Sequence, residues 1–238
     1  MRYSPSVVLA IAIVLVIASC SAPTERLGNY TVHGIDVSHH QSSISWSAIQ
    51  QEGISFSYMK ATEGQDFVDS LFNFNWEQSK NFGIKRGAYH FFRPGKPALH
   101  QALNFIKQVD LKLGDLPPAL DVEVDDDVSD VVAINRIRSW LQIVEKHYAI
   151  RPIIYTNLKF YKRFIHGNFK DYPVWIARYN KEAPPMPSGQ DWLFWQYGNR
   201  GRLNGIDGPV DLNVFYGNLS QLDALGYGAG PIYSSVPL

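Results

Sequence analysis

At 238 residues, with 45% hydrophobic and 18% charged residues, the chain can bury one large core, and α/β barrels of this length are commonly a single domain. Lys plus Arg and Asp plus Glu balance at 22 each, which excludes the strong net field expected of a protein that binds nucleic acid or an acidic polymer. A single cysteine excludes an internal disulfide.

The chain opens with Met1-Arg2-Tyr3, an unbroken apolar run from Val7 to Ala18, and then Ser19-Cys20-Ser21. One positive residue, a short apolar run and a small-residue boundary describe a secretory signal, since a spanning helix needs roughly twenty apolar residues. Ile17-Ala18-Ser19-Cys20 resembles the lipobox of bacterial lipoproteins. That resemblance implies a signal peptide over 1–19 and a lipid on Cys20 that anchors the secreted chain to a membrane. Ser21, rather than an aspartate, follows the cysteine, which resembles lipoproteins sorted to the outer membrane of two-membrane bacteria. Residues 20–32 read as a tether.

From His33 onward, strand-like runs alternate with helical patterns. Gly34–Ser38 precedes a short helix over Trp46–Gln51; Ile54–Ala61 precedes a helix over Ser70–Phe82. Ile84–Phe92 precedes a helix from Pro97, with Leu99, Ala102, Ile106 and Val109 at helical spacing and Gly114 as its stop. The next run, Pro117 to Asp125, carries Asp121 and Glu123 one residue apart. In a strand both point to one face while Leu120, Val122 and Val124 point to the other. Two carboxylates so close cannot both ionise easily, so one keeps its proton near neutral pH, as a general acid must. The same residues also fit a solvated acidic turn, and Asp125 to Asp127 read as one that enters the following helix.

Ile134, Ile137, Leu141, Val144 and Tyr148 mark that helix by steps of three and four. Pro152–Thr156, a short helix with Tyr161, Phe164 and Ile165, and Val174–Tyr179 follow. The alternation then breaks: Pro184, Pro185, Pro187 and Gly189, and a Gly-rich stretch between Tyr197 and Val210, leave no room for packed helices. Strands Leu193–Tyr197 and Val210–Tyr216 therefore close the sheet without crossovers, and one of them is expected to run antiparallel. That orientation sets Asp211 on the rim that holds Asp36 of the first strand and Asp121 and Glu123 of the fourth. Residues 218–238 read as a loosely ordered tail.

Gly34-Ile35-Asp36-Val37-Ser38-x-x-Gln41, Lys60-Ala61-Thr62-Glu63-Gly64, Gly87-Ala88-Tyr89-His90-Phe91, Leu120-Asp121-Val122-Glu123, Ile154-Tyr155-Thr156, Trp175-Ile176-Ala177-x-Tyr179, Trp195-Gln196-Tyr197 and Val210-Asp211-Leu212-Asn213 resemble, in order, the motifs of glycoside hydrolase family 25. The resemblance covers about residues 34–217 and implies an α/β fold, a modified TIM-like barrel of five β/α units followed by three strands, as a catalytic domain over 33–217. It also implies a lysozyme that cleaves the β-1,4 bond between N-acetylmuramic acid and N-acetylglucosamine in peptidoglycan. Carried over by position, Glu123 is the general acid/base, Asp121 assists the substrate acetamido group, and Asp36 and Asp211 shape the charge of the site. Tyr89, Tyr155, Trp175 and Gln196 are candidate sugar contacts; for the aromatics, and for Trp195, core filling is the competing reading. Gln196 alternatively satisfies a backbone group, Lys60 pairs with a carboxylate, and Glu63 belongs to a surface loop.

No cofactor is called for, and His39, His40 and His90 lack the spacing of a metal triad. The expected partners are peptidoglycan and, through Cys20, a membrane, with no nucleic acid and a monomeric chain. A chitinase-like N-acetylglucosaminidase and a wall-binding module without turnover are the rival readings.

Overall fold

A computed structural model describes residues 26–187 and 191–229. Its nine strands are β1 (His33–Val37), β2 (Phe56–Glu63), β3 (Phe67–Val68), β4 (Lys85–Phe91), β5 (Ala119–Val122), β6 (Ile153–Asn157), β7 (Val174–Ala177), β8 (Phe194–Gly201) and β9 (Val210–Phe215). The order β1-β9-β8-β7-β6-β5-β4-β2, together with the β1–β2 pairing, closes a barrel of eight strands; β3 is a short hairpin partner on the end of β2. Helices α1 (Trp46–Gln51), α2 (Phe72–Asn81), α3 (Ala98–Gln108), α4 (Asp130–Tyr148) and α5 (Leu158–Phe160, continued by a π turn over Tyr161–Ile165) form the expected five β/α units. The last three strands follow without helices among the described residues. Among the eight barrel strands β9 alone runs antiparallel, to both β1 and β8.

Apart from β3 and the far end of β8, the strands are buried on both faces, so their side chains sort by period two into two cores. Phe56, Tyr58, Ala119, Tyr155, Trp175, Phe194 and Phe215 fill the barrel interior. Met59, Ala61, Leu120, Val122, Ile154, Ile176 and Val214 pack outward against the helices. The interior rings need two strand glycines: a Cβ on Gly34 would lie 2.3 Å from the Phe56 ring, and one on Gly87 would lie 2.3 Å from the Tyr58 ring. α4 buries Ile137, Leu141, Val144 and Tyr148 as its spacing predicts, and stops where Ala149 turns left-handed at φ 53°.

α3 lies where expected and buries Ala102 and Val109 as its spacing predicts, but its inner face is turned away from Leu99. Leu99 is 52% exposed, while Gln101 and Phe105 are fully buried. Gln101 occupies the core side because its amide completes the β4–α3 connection: Oε1 accepts from Arg93 N and from His90 Nε2, and Nε2 donates to the carbonyls of Arg93 and Lys96. His90 in turn accepts from Thr62 through Nδ1 at 2.7 Å and stacks on Trp140. Burial lowers its pKa to about 4 and keeps it neutral.

The end of the barrel opposite the strand C-termini is stapled by Arg86 and Asp115. Both are buried, and they form a two-pronged pair at 2.8 and 3.1 Å, with Arg86 also donating to the Trp76 carbonyl and lying over its ring. The C-terminal segment also closes this end. Instead of a loose tail from 218, α6 (Leu219–Ala224) starts from an Asn218/Gln221 capping box and buries Leu222 and Leu225 in the barrel interior. On the N-terminal side, Val32 is fully buried, Tyr30 packs on Trp192 and Trp195, and Arg26 pairs with Glu52, so packing begins ahead of His33. The segment read as a signal peptide, Cys20, the first part of the expected tether, and 230–238 lie outside the described residues.

Candidate active site

At the C-terminal ends of the parallel strands one cleft gathers every site residue expected within the barrel: Asp36, Asp121, Glu123 and Asp211, with Tyr89, Tyr155, Trp175 and Gln196. Asp36 and Asp121 point inward because Ile35, Leu120 and Val122 take the outward positions. Asp211 joins them because antiparallel β9 starts at this rim, directly across the ladder from Asp36. Trp195 does not join them. It is fully buried on the outer side, against Tyr30, Trp192 and Tyr197, and its indole donates to the Arg178 carbonyl.

Several expected sugar contacts also have structural work. Trp175 is 2% exposed and packs against Tyr58, Tyr155 and Phe194. Its Nε1 donates to Asn213 Oδ1 at 2.8 Å, and Asn213 Nδ2 donates to Asp36 Oδ2 at 2.7 Å. Gln196 Nε2 donates to the same oxygen at 2.8 Å, while its Oε1 accepts from the Tyr155 hydroxyl at 2.9 Å. Gln196 therefore serves a catalytic-rim carboxylate and not a backbone group.

Burial is the first cause of every raised carboxyl pKa here. Asp121 is held well above the ordinary carboxylate range by burial and then by the charges of Glu123 and Asp36. Glu123 is raised by burial and then by Asp36, with the Lys60 ammonium acting against the rise. Asp121 and Glu123 repel each other's charged forms, as two neighbouring carboxylates must, but burial comes ahead of that repulsion as the cause of both rises. Asp121 Oδ1 is buried without a hydrogen-bond partner. An acceptor left in this state at a cleft wall is ready for a ligand N–H. The Tyr89 phenol, raised well above its ordinary value by burial and the surrounding carboxylates, stays a neutral hydroxyl.

Lys60 pairs with a carboxylate as expected, reaching Glu63 at 2.7 Å, and also lines the cleft, its ammonium 4.8 Å from the centre of the Phe91 ring. Glu63 is thus tied down: it also accepts from Arg93 at 3.3 Å. Arg93 joins this pair to the segment after Glu123, bonding Asp126 at 2.7 Å, while Gly95 N donates to the same carboxylate. Arg163 holds Asp125 at 2.6 Å and Asp130 at 2.7 Å. Asp126 and Asp127 adopt φ values of 48° and 56°, a left-handed pair that side chains rarely take without support. The acidic run is therefore a braced turn that fixes the exit from Glu123, rather than simply a solvated one. Tyr179, 54% exposed on the rim, and His40 also line the cleft. His39 bonds Asp69 at 2.7 Å through Nδ1, and no group of three or more His, Cys, Asp or Glu among the described residues is arranged to hold a metal ion.

Residues 35–206 match the family model for glycosyl hydrolases family 25. The chain is 43% identical over 201 residues to YegX of Escherichia coli K12, spanning 82% of this chain and 74% of that protein. It is 37% identical over 208 residues to Lysozyme M1 of Streptomyces globisporus, spanning 82% and 71%. A solved family 25 glycosyl hydrolase from Bacillus anthracis is similar with a TM-score of 0.80 at 32% identity, covering 87% of this chain and 99% of that one.

Proposed function

The chain belongs to glycosyl hydrolases family 25, and from that membership we infer the roles of its carboxylates. It is a lysozyme, a glycoside hydrolase that cuts the β-1,4 bond between N-acetylmuramic acid and N-acetylglucosamine in peptidoglycan. Glu123 hands its proton to the glycosidic oxygen as the bond to the anomeric carbon breaks. The carbonyl oxygen of the substrate's own acetamido group closes on that carbon, and Asp121 accepts its N–H. The Glu123 carboxylate then takes a proton from the water that opens the ring. Asp36 supplies negative charge near the positive centre that develops.

The observation that carries this assignment is the buried, unpartnered Oδ1 of Asp121 beside Glu123. Burial near Asp36 strengthens the hold of Glu123 on its proton, and Asp121 keeps an acceptor free for the acetamido group. Asp121→Asn should lower turnover on purified sacculi by about as much as loss of the acid, or somewhat less, with the fold retained by circular dichroism. An unimpaired Asp121→Asn enzyme would remove the substrate-assisted step.

We propose further that Cys20 is acylated and anchors the enzyme to a membrane, on the strength of Ile17-Ala18-Ser19-Cys20. The fold supports this in one respect. Tyr30 and Val32 enter at the start of β1, the end of the barrel remote from the cleft, so a tether attached there leaves the cleft facing away from its anchor. Cys20→Ala should abolish labelling by a radioactive or alkyne fatty acid and release the enzyme from the membrane fraction or leave its precursor uncleaved. Absence of label on the wild-type chain would refute the anchor.

A further inference from the structure

The amides around Asp36 have their orientation set by partners on other barrel strands. An indole N–H can only donate, so Trp175 Nε1 at 2.8 Å fixes the Asn213 carbonyl toward itself and leaves the Asn213 NH2 facing Asp36 Oδ2 at 2.7 Å. Gln196 adds a second N–H to that oxygen at 2.8 Å, its own carbonyl taken by the Tyr155 hydroxyl. Two N–H groups converging on one carboxylate oxygen favour the ionised form. Asp211 lies directly across the ladder from Asp36 on β9 and lines the same cleft wall, and two facing carboxyl groups can hydrogen-bond only with a proton between them. Because Asp36 is already supplied with donors, that proton belongs to Asp211.

We propose that Asp36 and Asp211 act as a single acid–carboxylate pair in which Asp36 holds the charge and Asp211 the proton, with Trp175, Asn213, Gln196 and Tyr155 as positioning residues that decide which is which. The catalytic consequence rests on the hydrolase reading: this wall of the cleft presents one negative charge and one donor, instead of two anions, to the substrate. The groups facing the pair are His40 beyond β1, Lys60 on β2, Tyr89 on β4, Asp121 on β5 and Glu123 just after it, Tyr155 on β6 and Tyr179 beyond β7. Of these only Lys60 is an ammonium, and it is engaged by Glu63. Burial first, and then the charges of Asp36 and Glu123, push the Asp211 carboxyl up to about 9. Burial also raises Asp36, against which the Gln196 and Asn213 hydrogen bonds act. On this assignment the pair carries a single charge near neutral pH, held on Asp36 by the Gln196 and Asn213 donors, and gains its second only in alkali.

The test is a carbon-13 NMR titration of the full chain labelled at aspartate Cγ, with Asp211→Asn and Asp36→Asn used for assignment. One carboxyl should titrate near pH 9 and be absent from Asp211→Asn, while the Asp36 signal keeps the shift of an ionised carboxylate through neutral pH. Trp175→Phe, which frees the Asn213 amide to turn, should transfer the protonated signature from Asp211 to Asp36. On sacculi, Asp211→Asn, whose amide still donates to Asp36, should retain at least tenfold more turnover than Asp211→Ala. Two ordinary acidic titrations in the wild type would overturn the proposal whether or not Trp175→Phe folds, and so would equal losses in the Asn and Ala variants. A folded chain that releases no sugar from sacculi while its carboxyls titrate as described would refute the hydrolase reading and leave the proton assignment standing.

Discussion

Glu123→Gln should lower turnover on purified sacculi by about a hundredfold or more and, at neutral pH, raise the melting temperature. The loss follows from removing the donatable proton with almost no change in shape. The gain follows from linkage. Burial, and then the Asp36 charge, raise the Glu123 pKa in the folded chain, so the native state binds that proton more tightly than the unfolded one. The stability this confers is fully present below the unfolded carboxyl pKa and is lost as pH rises through the folded value. At neutral pH, where the unfolded chain ionises this carboxyl freely, the buried Glu123 therefore costs stability that a neutral glutamine does not. Near-wild-type activity would move the acid elsewhere in the cleft. A lower melting temperature would mean that Glu123 helps to hold the fold.

The largest effect on stability is expected far from the chemistry, at Asp115→Ala. Arg86 is 3% exposed, and its guanidinium sits on both oxygens of Asp115, which also accepts from Lys112 N. Removing one member of a buried pair leaves the other charge uncompensated and costs about 3–5 kcal/mol. Glu77, which touches the same Arg86 at 3.4 Å from a largely exposed position, provides the control. Glu77→Ala should change stability by less than about 1 kcal/mol. Urea denaturation of the two variants makes the comparison, and similar losses would show that the β4 staple does not depend on its buried partner.

The meeting of the cleft carboxylates was legible in the sequence because their placement follows local rules. Period two puts Asp121 on the inward face of β5, and the missing crossovers after Tyr179 force an antiparallel strand that brings Asp211 to the rim beside Asp36. What the chain did not disclose depends on partners distant in sequence. Gln196 and Asn213 meet Asp36 across 160 and 177 residues, and nothing in their own segments marks them as its donors. Arg93 and Arg163 brace Asp126 and Asp125 from other loops, so the acidic run reads locally as a solvated turn. α3 was placed but rotated, because apolar spacing gives Leu99 the core position that a hydrogen-bonded Gln101 holds. The α6 cap was legible in principle, since Asn218 and Gln221 have capping-box spacing, but the surrounding glycines suggest a tail.

The bond that is cut tests the account most directly. Muramic acid carries a lactyl-peptide substituent that chitin lacks, and the helix-free passage from β7 through β9 leaves the cleft without an added helical wall on that side among the described residues. Purified peptidoglycan should be digested with the enzyme, reduced with borohydride and hydrolysed, and the reduced amino sugars identified by mass spectrometry. The expected product is muramitol, with chitin oligomers turned over much more slowly. Glucosaminitol as the main reduced sugar would contradict the assignment and make the enzyme a glucosaminidase.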